Sequence, residues 1–149
     1  PLADGGNLLP LGHIWVAPAE AVSAAAPIAR FGDGIALLAA DFAGDGALHL
    51  RWRADAPVNA NLTMFVHYLD ATGQMIGQGD GAPYGNLYPP AAWLPGQVVE
   101  DLRPLPATLA AESVATVRVG VYDPARGARL PAQAADGTPL TDGSFEISP

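Results

Sequence analysis

The chain has 149 residues, the length of one ordinary domain, which on folding hides roughly 68–70% of the surface its unfolded form exposes. Its formal net charge is −8 and its seven basic residues are all Arg, scattered without a patch, so the field repels phosphate backbones and nucleic acid is excluded as a partner. Lys and Cys are absent, which removes Schiff-base chemistry, phosphate-gripping P-loops, Ser–Lys pairs, cysteine nucleophiles, disulfides and thiolate metal sites.

The sequence opens on Pro1 with neither Met nor a basic leader, and any signal peptide, anchor or preceding domain is expected outside it. Residues 1–30 read as an N-terminal segment, loosely attached or supplying a first strand, and residues 31–149 as a single β-sandwich domain. Within the N-terminal segment, 18–26 combine Pro18 with a run of alanines that ends at Pro27, the pattern of a short helix, while 13–16 read equally well as a strand.

From Gly34 onward, Gly and Pro punctuate short apolar runs, the signature of many strands joined by turns. An apolar strand at 35–42 turns at Gly44-Asp45-Gly46 into Leu48, Leu50 and Trp52, which alternate with His49, Arg51 and Arg53 and so give a hairpin with one wet face. A strand at 62–69 turns at Ala71-Thr72-Gly73 into 74–79, with Gly73 suited to a left-handed position. Beyond a long loop come a strand at 98–105 and the clearest strand of all, 115–122, where Val117, Val119 and Val121 alternate with Thr116, Arg118 and Gly120. A tight turn from Asp123-Pro124 to Gly127 leads into 129–132, and 144–147 closes the chain. Eight or nine short strands with no intervening helices predict an all-β fold, a two-sheet antiparallel sandwich of jelly-roll or immunoglobulin-like type.

The four serines lie outside any G-x-S-x-G elbow, and His13, His49 and His67 fall on separate elements without metal-ligand spacing, so neither serine hydrolysis nor a zinc site is expected. Glu100 and Asp101 are neighbours on one strand and point to opposite faces, so they cannot together flank a glycosidic bond. No cofactor is implied. The one metal for which the pattern leaves room is a structural Ca²⁺, held between Asp80 and whichever of Glu100 and Asp101 faces it.

The feature that points to function is the long loop 79–97, because connections beyond about 12–15 residues are usually functional or disordered. Tyr84, Tyr88 and Trp93 are costly to leave in water, so they either pack the loop onto the sandwich or line a recess. In the functional reading a sugar ring stacks on Trp93 or a Tyr, with Asp80, Asn86 and Gln97 supplying hydrogen bonds and His67 beside them. In the alternative, Trp93 plugs one end of the sandwich and the prolines stiffen the lid.

Three groups of residues carry a family resemblance: Phe65-Val66-His67-Tyr68-Leu69-Asp70; Tyr88-Pro89-Pro90 with Trp93-Leu94-Pro95-Gly96; and Val119-Gly120-Val121-Tyr122-Asp123-Pro124 followed by Gly127 and Arg129-Leu130-Pro131. In that order they resemble the β-sandwich domain appended to bacterial membrane glycosyltransferases of the protein-mannosyltransferase type, from about Phe31 to the C-terminus. Ala91-Ala92 and the stretch from Ala111 to Ala115 depart from that pattern. The resemblance implies an extracytoplasmic location, periplasmic or at the cell surface, beside a membrane domain, and an accessory, non-catalytic role. It carries over no binding residue. Two functional expectations follow: a carbohydrate-binding module using Trp93, Tyr84, Tyr88, Asp80 and His67, or a structural or protein-interaction domain with those aromatics buried.

Overall fold

Leu48, Leu50 and Trp52 put their side chains on the same face of one strand, and all three are buried while His49 and Arg51 between them are exposed, as two-residue periodicity requires. The computed structural model describes residues 25–149, so the expected strand at 13–16 and nearly all of the expected helix at 18–26 lie outside the described residues. Within them the chain forms ten strands: β1 (Ala29–Phe31), β2 (Ile35–Phe42), β3 (Leu48–Ala54), β4 (Thr63–Leu69), β5 (Met75–Gln78), β6 (Val98–Arg103), β7 (Thr116–Asp123), β8 (Ala128–Arg129), β9 (Ala132–Ala134) and β10 (Ser144–Ile147). Every pairing is antiparallel.

The first sheet runs β6-β3-β2-β1-β9 and the second β10-β7-β4-β5, with β8 added beside the end of β7. This is the expected two-sheet β-sandwich, with ten strands rather than eight or nine. The count differs because short pieces escape periodicity. β1 has three residues and β8 two, too few to alternate, and β1 begins two residues before the boundary read from the sequence. The expected strand 129–132 divides instead into β8 and β9, which belong to different sheets. Pro131, which has no N–H to donate to a ladder, lies in the crossing between them.

The core lies between the sheets. Phe31, Ile35, Leu37, Leu48, Leu50 and Trp52 from the first sheet face Met64, Val66, Tyr68, Val117, Val119 and Val121 from the second, and all are essentially inaccessible. In β2 the register slips between Leu37 and Ala39, which lets Leu37 pair with Trp52 and Ala40 with Leu50 across a bulge. The β4–β5 hairpin is closed by Asp70, whose Oδ1 accepts from the backbone of Thr72 at 2.8 Å and of Gln74 at 3.0 Å, the expected turn chemistry of a short carboxylate. The connection from β5 to β6 passes from one sheet to the other, so the long loop closes one side of the sandwich.

Candidate functional site

The long loop is built around a backbone few residues adopt. Pro83–Asn86 make a single helical turn in which Tyr84 (φ 56°, ψ 46°) and Gly85 (φ 63°, ψ 39°) are left-handed, and Asn86 follows at φ 76°. The Asn86 side-chain oxygen accepts from the Ala82 N–H at 2.8 Å, holding the turn from inside. Three aromatic rings then step inward from the surface. Tyr84 is 48% exposed, its ring centroid lies 6.4 Å from that of Tyr88, and Tyr88 lies 6.4 Å from Trp93. Trp93 is only 3% exposed and belongs to the core, with its indole N–H donated to the Tyr88 carbonyl at 3.1 Å. The Gln97 side-chain oxygen accepts from the Tyr88 hydroxyl and the Leu94 N–H, both at 2.9 Å.

This corrects one expectation in detail. Trp93 presents no ring face to solvent and supplies no platform for a sugar. Asn86 and Gln97, expected to bond a ligand, bond the loop itself. The physical reason is local: a loop with this much aromatic area gains more by closing the side of the core than by standing in water. Tyr84 alone of the three aromatics keeps a large exposed surface.

His67 and Asp80 belong elsewhere. In β4, Met64, Val66 and Tyr68 face the core, so Phe65 and His67 face outward across the second sheet. Asp80 lies just past β5, where Gly79 N–H still bonds Val66 O at 2.8 Å and Gly81 N–H bonds Met64 O at 2.9 Å. Its Oδ1 accepts from the Val66 N–H at 3.1 Å and stands 3.7 Å from His67 Nε2. The structure therefore brings His67 and Asp80 together, gathers Tyr84, Tyr88 and Trp93 into a separate stack, and does not merge the two groups.

Around His67 and Asp80 the outer face holds a recess of about 280 Å³, lined also by Phe65, Tyr122, Gly127, Ala128 and Arg129. The Phe65 ring sits 4.9 Å from the His67 ring, and the Arg129 guanidinium covers it at 4.4 Å from the centroid. Arg129 is held there by Nη1, which donates to the Asp142 carbonyl at 3.1 Å. Phe65 fits because Gly120 is its partner in β7: a Cβ on Gly120 would lie 2.4 Å from the Phe65 ring edge. Burial pushes the His67 pKa below its ordinary value; Asp80 pulls it back up, and Arg129 and Arg118 press it further down. The net shift favours the neutral imidazole, which has one N–H to donate and one lone pair to accept.

Phe65, Tyr122 and Arg129 carry part of the family resemblance but were not among the candidate binding residues read from the sequence. A signal for two of them exists. Phe65 and Tyr122 occupy outward positions of alternating strands, where an aromatic ring is out of place on a wet face unless something covers it. Arg129 carries no such mark, because β8 is too short to show a face.

The carboxylates of β6 are also placed. Glu100 is exposed and paired with Arg51 at 2.6 Å, whereas Asp101 is 2% exposed and accepts from Arg103 and from the Trp52 indole. Their opposite orientation is as expected. The facing arrangement with Asp80 is not what the chain builds: Asp80 turns to Val66 N–H and His67, and the Arg103 guanidinium occupies Asp101. Among the described residues no group of three or more His, Asp or Glu side chains could hold a metal ion. No helix of the described residues is long and apolar enough to cross a membrane. No protein-family model matches the chain, and no curated protein matches it at a significant level.

Proposed function

We propose that this chain is a non-catalytic accessory domain of a membrane glycosyltransferase-like protein, placed outside the cytoplasm, that binds carbohydrate in the outer-face recess of its second sheet. The setting rests on the sequence resemblance; the carbohydrate reading rests on one observation. An imidazole, a carboxylate, a phenol and a guanidinium line one small recess beside an aromatic ring. Sugar hydroxyls both donate and accept. Asp80 supplies acceptors, Arg129 donors, and His67 and Tyr122 one or the other as the ligand requires. At about 280 Å³ the recess is just below the roughly 300–1,000 Å³ range of small-molecule sites, so it takes one sugar ring rather than a chain. Transferase chemistry, in this reading, belongs to the membrane portion.

A glycan array followed by calorimetry on any hit tests the proposal. Wild type is expected to bind a monosaccharide-terminated glycan. His67→Ala and Tyr122→Ala each weaken binding by about tenfold, the loss of one hydrogen bond at about 1–1.5 kcal/mol, while Tyr84→Ala leaves it unchanged.

The second reading, a structural or protein-interaction domain without a small ligand, is favoured by the burial of Trp93 and the self-pairing of Asn86 and Gln97. A folded wild type that binds nothing on the array leaves that reading in place.

A further inference from the structure

Asp123 ends the row Val117, Val119 and Val121, so its carboxylate points inward between the sheets at one open end of the sandwich, and the residue is 8% exposed. The mouth there is a recess of about 350 Å³ with apolar walls that include Phe31, Ile35, Val58, Leu62 and Leu130. A carboxylate so placed ordinarily has strong partners. Asp101, the other buried acid among the described residues, takes two Arg103 hydrogen bonds at 2.7 and 2.8 Å and the Trp52 indole. Asp123 has less. Its Oδ1 accepts from the Ala125 N–H at 2.9 Å, and the charge opposite Oδ2 is Arg126, whose Nε stands 3.4 Å away at the end of an 83% exposed side chain. Charge-assisted N–H···O bonds are about 2.7–2.9 Å long, so this contact is loose and the exposed arm is easily displaced. Asp33, on the turn between β1 and β2, lines the same mouth and adds a second negative charge.

We propose that the mouth of the sandwich is a binding site for a small organic cation, an ammonium or guanidinium group on an apolar stem or ring. The stem lies among Val58, Leu62 and Leu130, and the cation replaces Arg126 at Asp123 Oδ2, with Asp33 at the rim. The volume lies within the roughly 300–1,000 Å³ of small-ligand sites, and the chain's net charge of −8 draws cations toward it. The site is separate from the recess around His67. It shares none of that recess's lining residues, so either proposal stands or falls without the other.

The test is a ¹H–¹⁵N chemical-shift titration with cyclohexylammonium chloride and, in parallel, with cyclohexanol, which has the same ring and no charge. Saturable shifts are expected at Gly34, Val58, Ala125 and Leu130 with the cation and not with the alcohol. Asp123→Asn keeps an oxygen for the Ala125 N–H and is expected to weaken binding by about 10- to 100-fold, the range for a lost hydrogen bond to a charged group. Arg126→Ala, on an exposed side chain that the fold does not need, is expected to tighten it by removing the competing cation. Equal response to the alcohol, shifts centred on His67 or Trp93, no response at all, or an Arg126→Ala variant that binds less well would each overturn the proposal.

Discussion

Arg103 grips Asp101, two residues before it on the same face of β6, with Nε 2.7 Å from Oδ1 and Nη2 2.8 Å from Oδ2, and extends the same guanidinium to the carbonyls of Gly79 at 2.7 Å and Gly81 at 2.8 Å. One planar group thus neutralises a buried acid and pins the start of the long loop, linking the edges of the two sheets. Removing it strands a charge that the Trp52 indole alone still contacts. Arg103→Ala is expected to cost about 3–5 kcal/mol in urea denaturation, the usual penalty for orphaning a buried ion. Arg103→Lys should recover little, because a single ammonium lacks the fork that reaches a carboxylate and two carbonyls at once.

Gly120 pairs with Phe65 on one side and Ser144 on the other, and a Cβ there would meet the Phe65 ring at 2.4 Å and the Gly143 carbonyl at 2.6 Å. Backbone cannot move aside as a flexible side chain can. Gly120→Ala is therefore expected to destabilise by about 1–3 kcal/mol or more through overpacking. A crystal structure of the variant should show Phe65 displaced from beneath Arg129; an unmoved ring and unchanged stability would refute this account of the outer face.

His67 gives the fold a pH dependence of definite sign. Its folded-state pKa is lowered by burial, with Arg129 and Arg118 adding to the effect and Asp80 opposing it, so the unfolded chain takes up a proton near pH 6.5 that the folded chain still refuses. Stability is accordingly full above about that value and falls as pH drops through the window between the unfolded and folded pKa values. The carboxylates held below their ordinary values, Asp55 among them, act only at lower pH. Asp55 stays low because hydrogen bonds from Arg53 and Arg30 outweigh the burial that would raise it. Urea midpoints measured between pH 5 and 7.5 should decline toward acid in wild type and stay flatter in His67→Gln. The same slope in both would assign the effect to other groups.

The two ends of the aromatic stack should respond in opposite directions. Trp93→Ala empties a core position and is expected to cost about 3–5 kcal/mol. Tyr84, left-handed at φ 56° and half exposed, carries backbone strain of about 1 kcal/mol or more that a glycine avoids. Tyr84→Gly is thus expected to raise the thermal midpoint, and a lowered midpoint would mean that the ring contact with Tyr88 outweighs the strain.

How far the sequence led can be seen in particular residues. Val117, Val119 and Val121 alternate along one strand and Trp52 along another, and all four are fully buried between the sheets. The direction of a side chain along a strand follows from its neighbours in the chain, so alternation carries that information without any knowledge of the partner strand. The same logic put Glu100 and Asp101 on opposite faces, and only the packing of the sheets made Asp101 the buried one. It failed for β8 and β9, where two or three residues show no period and the chain changes sheets at Pro131.

The amino-acid sequence alone determined the class of fold, the faces of the long strands and the chemistries for which no residue exists. Tertiary structure decided which of two fates the loop aromatics met, since whether Trp93 faces water or core depends on the sheet it closes over. It also decided that His67 and Asp80 meet Phe65, Tyr122 and Arg129 rather than the loop, because those residues come from β4, the end of β5, β7 and β8 and are neighbours only through register between strands. Register and sheet packing are long-range contacts, and local pattern holds no record of them.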